Sequence, residues 1–417
     1  MLRTPHPALW AVLRPLLRLI LRLKLHFIAP RVRMKKPFVL LCNHASWYDP
    51  LLAAVCVDRP LCFIGADPAP RAGFLLSLSR ALCQTDAISL EDALKEAAAS
   101  GRSLGIFPEG RRCTDGATGP IPADLAGAIK ASGLGLVALR LEGAYLTAPR
   151  WADRIPRPGR LRARVMRTLT RGVIRAMETD ELQALIEQDL QEDAYETVRR
   201  RPGPYRGERT AERLEKLLCI CPKCGAVGTM ESRDNEFFCR GCGFTTVYTL
   251  SGGLRGGKVP FENPGQWAAW QRGRIRMLCE EAGDGPIFED GGYEIYDLRE
   301  GAAERIGTGG LHLYRERLEL PTGIAIPTED VLSLRLIGGS GLRIETRRGS
   351  RFELKTIRPT CAEKYLTALA ILKEINKNAA EPPVGAEEPE DDREPESADT
   401  EETAETENME QPEEAEA

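Results

Sequence analysis

Two short stretches carry side chains that could do chemistry. In Asn43-His44-Ala45-Ser46-Trp47-Tyr48-Asp49-Pro50, a histidine and an aspartate stand with four residues between them. A carboxylate that meets one imidazole nitrogen fixes the tautomer and favours the imidazolium, which makes the other nitrogen a general base. Such a base takes a proton from a hydroxyl. Asp49 precedes Pro50, which biases it away from helical dihedrals, so Asp49 also reads as the N-cap of a helix over Leu51 to Val55. Without any chemistry, Asp49 is only a cap and His44 only an exposed polar residue in a strand-to-helix loop. The second stretch is Phe107-Pro108-Glu109-Gly110 followed by Arg111-Arg112, about sixty residues on. Two arginines beside a glycine, where backbone can approach closely, suit a phosphate. The plain alternative is a solvated turn.

Each stretch follows a short apolar run, Phe38 to Cys42 and Leu104 to Phe107, that reads as a strand. From Phe38 to about Arg200 such runs alternate with helical stretches. Ser89-Leu90-Glu91-Asp92 is a capping-box-like start, Ala93 to Ala99 continues as helix, and Gly101 closes it. Leu136 to Leu141 is a further apolar run. The alternation predicts an α/β domain with a largely buried sheet, and strand ends along one edge of such a sheet are where ligands bind. A last helix through Glu181 to Glu187 leads into a Pro-, Gly- and Arg-rich boundary at Arg199 to Arg209.

The two motifs, in this order and at this separation, resemble the glycerolipid acyltransferase family, specifically the 1-acyl-glycerol-3-phosphate acyltransferases. That family is marked by His-x4-Asp and by Phe-Pro-Glu-Gly followed shortly by Arg, and the resemblance covers roughly residues 10 to 200. It implies that His44, oriented by Asp49, deprotonates the free hydroxyl of an acylated glycerol phosphate. The oxygen then attacks the thioester of acyl-CoA or acyl-carrier protein, with no acyl-enzyme. It further implies that Glu109 and Gly110 help hold the acceptor and that Arg112 meets its phosphate. The sequence departs from the family twice: Ala87 stands where an arginine is usual, and Ala138 where a proline is usual. Either Arg71 or Arg111 takes the place of the missing arginine, or the acceptor is not lysophosphatidic acid. The alternative is a lipid-binding or adaptor protein on a degenerate acyltransferase fold; the intact His44, Asp49, Glu109, Gly110 and Arg112 favour the enzyme.

Twelve cysteines divide by placement. Cys221-Pro222-Lys223-Cys224-Gly225 and Cys239-Arg240-Gly241-Cys242-Gly243 are separated by fourteen residues. Each pair sets two thiolates about one ion, and the following glycine allows the left-handed turn behind them. Four thiolates satisfy tetrahedral zinc and leave no open position, which makes the site structural. Strands on either side of Arg233-Asp234-Asn235 and a third over Phe244 to Leu250 resemble a zinc ribbon. Cys42, Cys56, Cys62, Cys83 and Cys113 fall in apolar segments and read as small core residues in a reducing compartment.

Residues 1 to 36 carry nine Arg and Lys and no acid. From Pro15, taken as a first helical residue, Leu16, Leu19, Ile20, Leu23 and Phe27 share one face and Arg14, Arg18 and Arg22 another. The arginines keep every apolar run far below the roughly 20 residues needed to span a bilayer. The segment reads as an amphipathic helix in a membrane interface, or else as one docked on its own domain. From about Gly285 to Ile375, short alternating strands and one closing helix weakly resemble a pleckstrin-homology-like barrel. Arg335, Arg343, Arg347 and Arg348 are either an anionic-lipid surface there or a solvated face. The end of the chain, Ala379 to Ala417, has seventeen acidic residues against one arginine, which leaves +12 on the rest of a chain whose net charge is −4. The tail lacks the apolar residues to order itself.

The architecture expected is therefore an amphipathic helix (1–30), an α/β acyltransferase domain (31–200), a linker and zinc ribbon (201–250), a β-rich domain (285–376) and a disordered acidic tail (377–417). The basic body suits an anionic membrane surface, with a lysophospholipid acceptor and an acyl-donor carrier as further partners. Nucleic acid is not expected, since aromatic and basic residues do not interleave. The location expected is cytoplasmic, peripherally attached to the membrane.

Overall fold

Strand β1 (Phe38–Cys42) is apolar and buried at every position, as a strand covered on both faces must be. With β2 (Leu61–Ile64), β3 (Ser103–Ile106), β4 (Gly135–Glu142) and β5 (Arg162–Leu169) it forms a five-stranded sheet of order β2-β3-β1-β4-β5. β1 is the centre, parallel to β3 on one side and β4 on the other, while β5 closes the far edge antiparallel to β4. A side chain on β3 would be intolerable at Gly105, because a Cβ there would lie 2.3 Å from the ring of Phe63 on β2. The structure is a computed structural model and describes residues 5–65, 73–83, 88–152, 156–299, 302–338, 340–356 and 358–380.

Helices α2 (Asp49–Ala54), α3 (Phe74–Ala81), α4 (Leu90–Ser100), α5 (Leu125–Ser132), α6 (Ala144–Thr147), α7 (Arg171–Ala176), α8 (Thr179–Leu190) and α9 (Ala194–Arg200) complete this region. The cap expected at Ser89 is present: its hydroxyl accepts from Asp92 N at 3.1 Å, and Gly101 ends the helix in the left-handed region at φ 65°.

Helix α1 (Pro7–Leu25) starts eight residues earlier than expected. Pro7 takes the first-turn position, where a missing N–H costs nothing, and Pro15 lies inside the helix. The helix has two apolar stripes. Trp10, Leu17, Leu21 and Leu25 are buried against the core, whereas Leu9, Val12, Leu16, Leu19 and Leu23 point outward. Arg18 donates to the carbonyls of Ala29, Pro30 and Val55 at 2.6–3.0 Å, and Arg14 meets Asp58 at 2.5 Å, so the basic face is part of the docking.

A four-stranded antiparallel sheet follows, β6 (Met230–Arg233), β7 (Glu236–Cys239), β8 (Thr245–Tyr248) and β9 (Leu254–Arg255). Asp234 turns the first hairpin at φ 53°. Helix α10 (Pro264–Glu280), which the sequence reading left out, starts at Asn263, whose side chain accepts from Gln266 N at 3.0 Å. The β-rich region is one seven-stranded antiparallel sheet. Its strands are β10 (Phe288–Arg299), β11 (Ala302–Leu313), β12 (Arg317–Glu319), β13 (Ala325–Pro327), β14 (Val331–Ile337), β15 (Gly341–Thr346) and β16 (Arg351–Thr356). The order is β13-β12-β11-β10-β16-β15-β14. Helix α11 (Glu363–Ala380) closes it, with Tyr365, Leu369 and Leu372 buried. It runs four residues into the stretch read as tail; residues 381–417 lie outside the described ones, as do Arg71 and Ala87.

Residues up to Ile375 make one unit, and those from Asn376 on a second. Within the first, the α/β sheet and the ribbon share one apolar cluster: Trp151 meets Tyr248 edge-on at 5.6 Å between ring centroids, and Trp267 of α10 sits among Phe237, Phe244 and Phe261.

Candidate active site

Because β1 and β3 are adjacent and parallel, the loops that leave their carboxyl ends meet at one edge of the sheet. Asn43 anchors the first loop. Its amide donates to Leu141 O at 3.1 Å and its oxygen accepts from Leu141 N at 2.7 Å, so the loop is stitched to β4. Asp49 opens α2, but its carboxylate does not cap that helix. It turns back, accepting from Ala45 N at 2.6 Å, Ser46 N at 2.7 Å and the Ser46 hydroxyl at 2.5 Å. His44 Nδ1 lies 2.9 Å from Asp49 Oδ2. A bond to a carboxylate places the proton on Nδ1 and the lone pair on Nε2.

The expectation of an exposed loop histidine is corrected: His44 is 1% exposed. Phe107, at the end of the neighbouring strand, stacks on the imidazole at 4.3 Å between centroids and covers one face of the ring.

The second motif holds the peptide of His44 from both sides. Glu109 Oε1 accepts His44 N–H at 2.7 Å, and His44 O accepts Cys113 N–H at 2.8 Å. The other Glu109 oxygen accepts Gly119 N–H at 2.8 Å. Burial pushes the Glu109 carboxyl up to about 7, against the pull of the Gly119 and His44 amides, with the Asp49 charge adding to the rise. Gly110 makes the turn possible. It donates to Phe107 O at 3.0 Å with φ 67°, a region that favours glycine.

The two arginines part company. Arg111 is half exposed, 3.6 Å from Glu363 at the start of α11. Arg112 is fully buried, its guanidinium carbon 3.4 Å from the ring centroid of Trp47. Arg150 donates to the carbonyl of Arg112 at 3.2 Å. Ala138, the departure within the fourth apolar run, pairs with Leu41 at the centre of the sheet, and the β4–β5 register shifts between Ala138 and Leu139.

A cavity of about 10 Å³ lies against His44, walled by Glu109, Tyr145 and Glu192. Beside it, sharing Glu109, Cys113 and Thr118, opens a cleft of about 790 Å³. Its far wall is α11, with Leu366, Leu369 and Ile371, and its rim carries Arg111, Arg272 and Lys373. Glu192 is a site residue that the sequence reading missed. It is 7% exposed, and burial raises its carboxyl to about 8. Its main chain is clasped by Thr118, through bonds at 2.9 Å in both directions. Glu192 lies in Gln191-Glu192-Asp193, the short link between α8 and α9, and nothing local in the sequence marks it.

The four cysteines Cys221, Cys224, Cys239 and Cys242 do converge, every sulfur within 4.8 Å of the others. Cys221 and Cys242 are 3.7 Å apart and Cys224 and Cys239 3.8 Å. A tetrahedral ion with thiolates at about 2.3 Å requires edges of about 3.8 Å, which these two pairs match, so the set could hold a metal. Gly225 and Gly243 stand in the left-handed region at φ 72° and 70° and donate to the carbonyls of Cys221 and Cys239, completing two equivalent knuckles. Cys219, left unassigned from sequence, packs instead in the second apolar cluster with Cys361.

Residues 24–141 match the Acyltransferase family model. The match spans β1 to nearly the end of β4 and includes His44, Asp49 and Glu109 to Arg112, which supports acyl transfer as the general activity. Among curated proteins, none matches the chain. No helix among the described residues is long and apolar enough to cross a membrane.

Proposed function

We propose that this protein is a membrane-surface acyltransferase that moves a fatty acyl chain from acyl-CoA or acyl-carrier protein to the free hydroxyl of lysophosphatidic acid or a related lysophospholipid. The observation that carries the reading is His44 Nδ1 at 2.9 Å from Asp49, on a peptide clamped by Glu109. Nε2 takes the proton of the acceptor hydroxyl, and the oxygen attacks the thioester carbonyl carbon. The adduct collapses by breaking its C–S bond, and the departing thiolate takes the proton from the imidazolium. Asp49 stabilises that cation in between. The adjoining cleft, leucine-lined on one wall, suits an acyl chain; of the cations around it, Arg111 is paired with Glu363 and Arg272 with Asp115. Glu109 and Arg111 line the cleft and, with Gly110 between them, are the acceptor-holding segment. Arg112, stacked on Trp47, acts in this conformation by fixing that tryptophan.

The outward stripe of α1, 52–72% exposed at Leu9, Val12, Leu16, Leu19 and Leu23, supports peripheral attachment to the cytoplasmic face of an anionic membrane. The four thiolates support structural zinc, and the strand order with its closing helix supports the pleckstrin-homology-like reading of the β-rich domain. The non-catalytic lipid-binding alternative draws on the smallness of the cavity at His44. Purified protein offered several lysophospholipids with each donor, its products read by mass spectrometry, separates the two: no acylated product from any pairing supports the adaptor.

A further inference from the structure

The arginines expected to face lipid on the β-rich domain are largely engaged with their own neighbours. Arg343 meets Glu353 at 2.9 Å, Arg348 meets Asp330 at 3.1 Å and Arg347 donates to Glu329 O at 2.8 Å. A different set of cations converges elsewhere. Where the α/β region, the segment that enters the ribbon and the β14–β16 strands meet, there is a cavity of about 430 Å³. Arg150, Arg213, Lys216, Lys355 and Arg358 line it, against a single carboxylate, Glu353. That carboxylate is shared between Arg343, which bridges one oxygen at 2.9 Å from outside the cavity, and Lys355, 3.6 Å from the other oxygen, so it offsets only part of the charge of the five cations.

Two features show that this convergence is built. Arg150 is 7% exposed and pins two walls at once, donating at 3.2 Å to Arg112 O in the catalytic motif and at 3.2 Å to Leu336 O on β14. Ser340, on the turn between β14 and β15, is 6% exposed, and its hydroxyl, on a residue that lines the cavity, has no hydrogen-bond partner among the described residues. A buried hydroxyl without a partner costs free energy, and so does gathering like charges in one concavity. A ligand with several anionic acceptor oxygens offsets both costs.

We propose that this junction is a binding site for a phosphate group, free or as the head of an anionic lipid, with Lys355 and Arg358 supplying exposed charge, Arg150 buried charge and Ser340 a neutral donor. Trp47 forms one wall. It lies three residues beyond His44, so the ligand would sit against the back of the catalytic loop, outside the cavity at His44. The site is independent of the acyltransferase reading and is tested by binding alone.

The test uses full-length protein with two probes: inorganic phosphate by calorimetry and thermal melting, and phosphatidylcholine vesicles with and without phosphatidic acid by sedimentation. The variants are K355E/R358E, S340A, and K95E, a charge reversal on α4 at a residue whose side chain is 72% exposed and outside the cavity. Wild type should bind phosphate saturably and melt at a higher temperature with it, and K355E/R358E should weaken binding roughly tenfold or more. S340A should also bind more weakly, yet melt without ligand no lower than wild type, since it loses an unsatisfied hydroxyl. K95E should change neither. If inorganic phosphate does not distinguish wild type from K355E/R358E but phosphatidic acid vesicles do, the site stands and its phosphate comes from lipid. If K95E loses as much as K355E/R358E, or if neither probe distinguishes K355E/R358E from wild type, the proposal is overturned.

Discussion

Glu109 accepts the backbone N–H of His44 at 2.7 Å while Asp49 holds the same residue's ring at 2.9 Å, so one acid sets the peptide and another the imidazole. The two motifs are thus parts of one device, and removing either acid should disturb a different property of the same histidine.

His44→Ala should lower acyl transfer by roughly 10²–10⁴-fold, the usual worth of a general base. Because the ring is buried on Phe107, the variant should also melt somewhat lower than wild type. Asp49→Asn should be as damaging to turnover through the tautomer, with the ring still in place. Turnover of His44→Ala close to wild type would sink the catalytic assignment.

Glu109→Gln tests the clamp. The folded carboxyl titrates at about 7, above its ordinary 4.5, so the native state binds more protons than the unfolded one between those values. Its contribution to stability is therefore fully present below about pH 4.5 and is lost as pH rises through about 7. Urea unfolding of wild type across that window should show this component, on the order of 3 kcal/mol, and Glu109→Gln should lack it. Identical pH profiles for the two proteins would refute the shift.

The two stripes of α1 predict opposite phenotypes. Leu21→Ala removes a fully buried side chain and should cost about 2–5 kcal/mol of stability. Leu16→Asp and Leu23→Asp lie on the outward stripe, 53% and 68% exposed, and should leave the melting temperature alone while reducing sedimentation with anionic vesicles. Vesicle binding by the outward variants equal to wild type would remove the membrane role of the helix.

Metal analysis should find about one zinc per chain, and Cys224→Ser should lose it. Loss of the metal should lower the thermal stability of the whole unit, because Tyr248 and Phe237 pack with α/β and α10 residues in one shared apolar cluster. Circular dichroism melts of both proteins, with and without a chelator, measure this.

What the sequence made legible was governed by period and by short-range chemistry. β1 and β3 were readable because fully covered parallel strands are continuous apolar runs, and Ser89 and the cysteine knuckles because capping and coordination are local. Contacts set by topology were not. Glu192 reaches the wall beside His44 only through the packing of the chain after α8, and Arg112 meets Trp47 across sixty-five residues. The start of α1 was misplaced because Pro7 and Pro15 are equally good first-turn residues, and its docked face because two leucine stripes compete for one core. Asp49 reads as a cap by every local rule; only the proximity of Ala45 and Ser46 amides turns it backward.

Helix α10 packs with both the ribbon and the β-rich region. Its first half drives Trp267 among the ribbon aromatics, and its second half gives Ile275 and Cys279 to the β-rich core. Gln271, between them, takes the amides of Cys219 and Ile220, while Arg272 reaches Asp115 at 2.6 Å and Arg276 reaches Glu374 at 2.8 Å. A fragment that stops short of Asn263 would leave an empty indole-shaped slot in the apolar cluster shared with the catalytic sheet. The stretch bearing the motifs is therefore not a detachable enzyme: expressed by itself it should aggregate, and the later half of the chain serves as its scaffold.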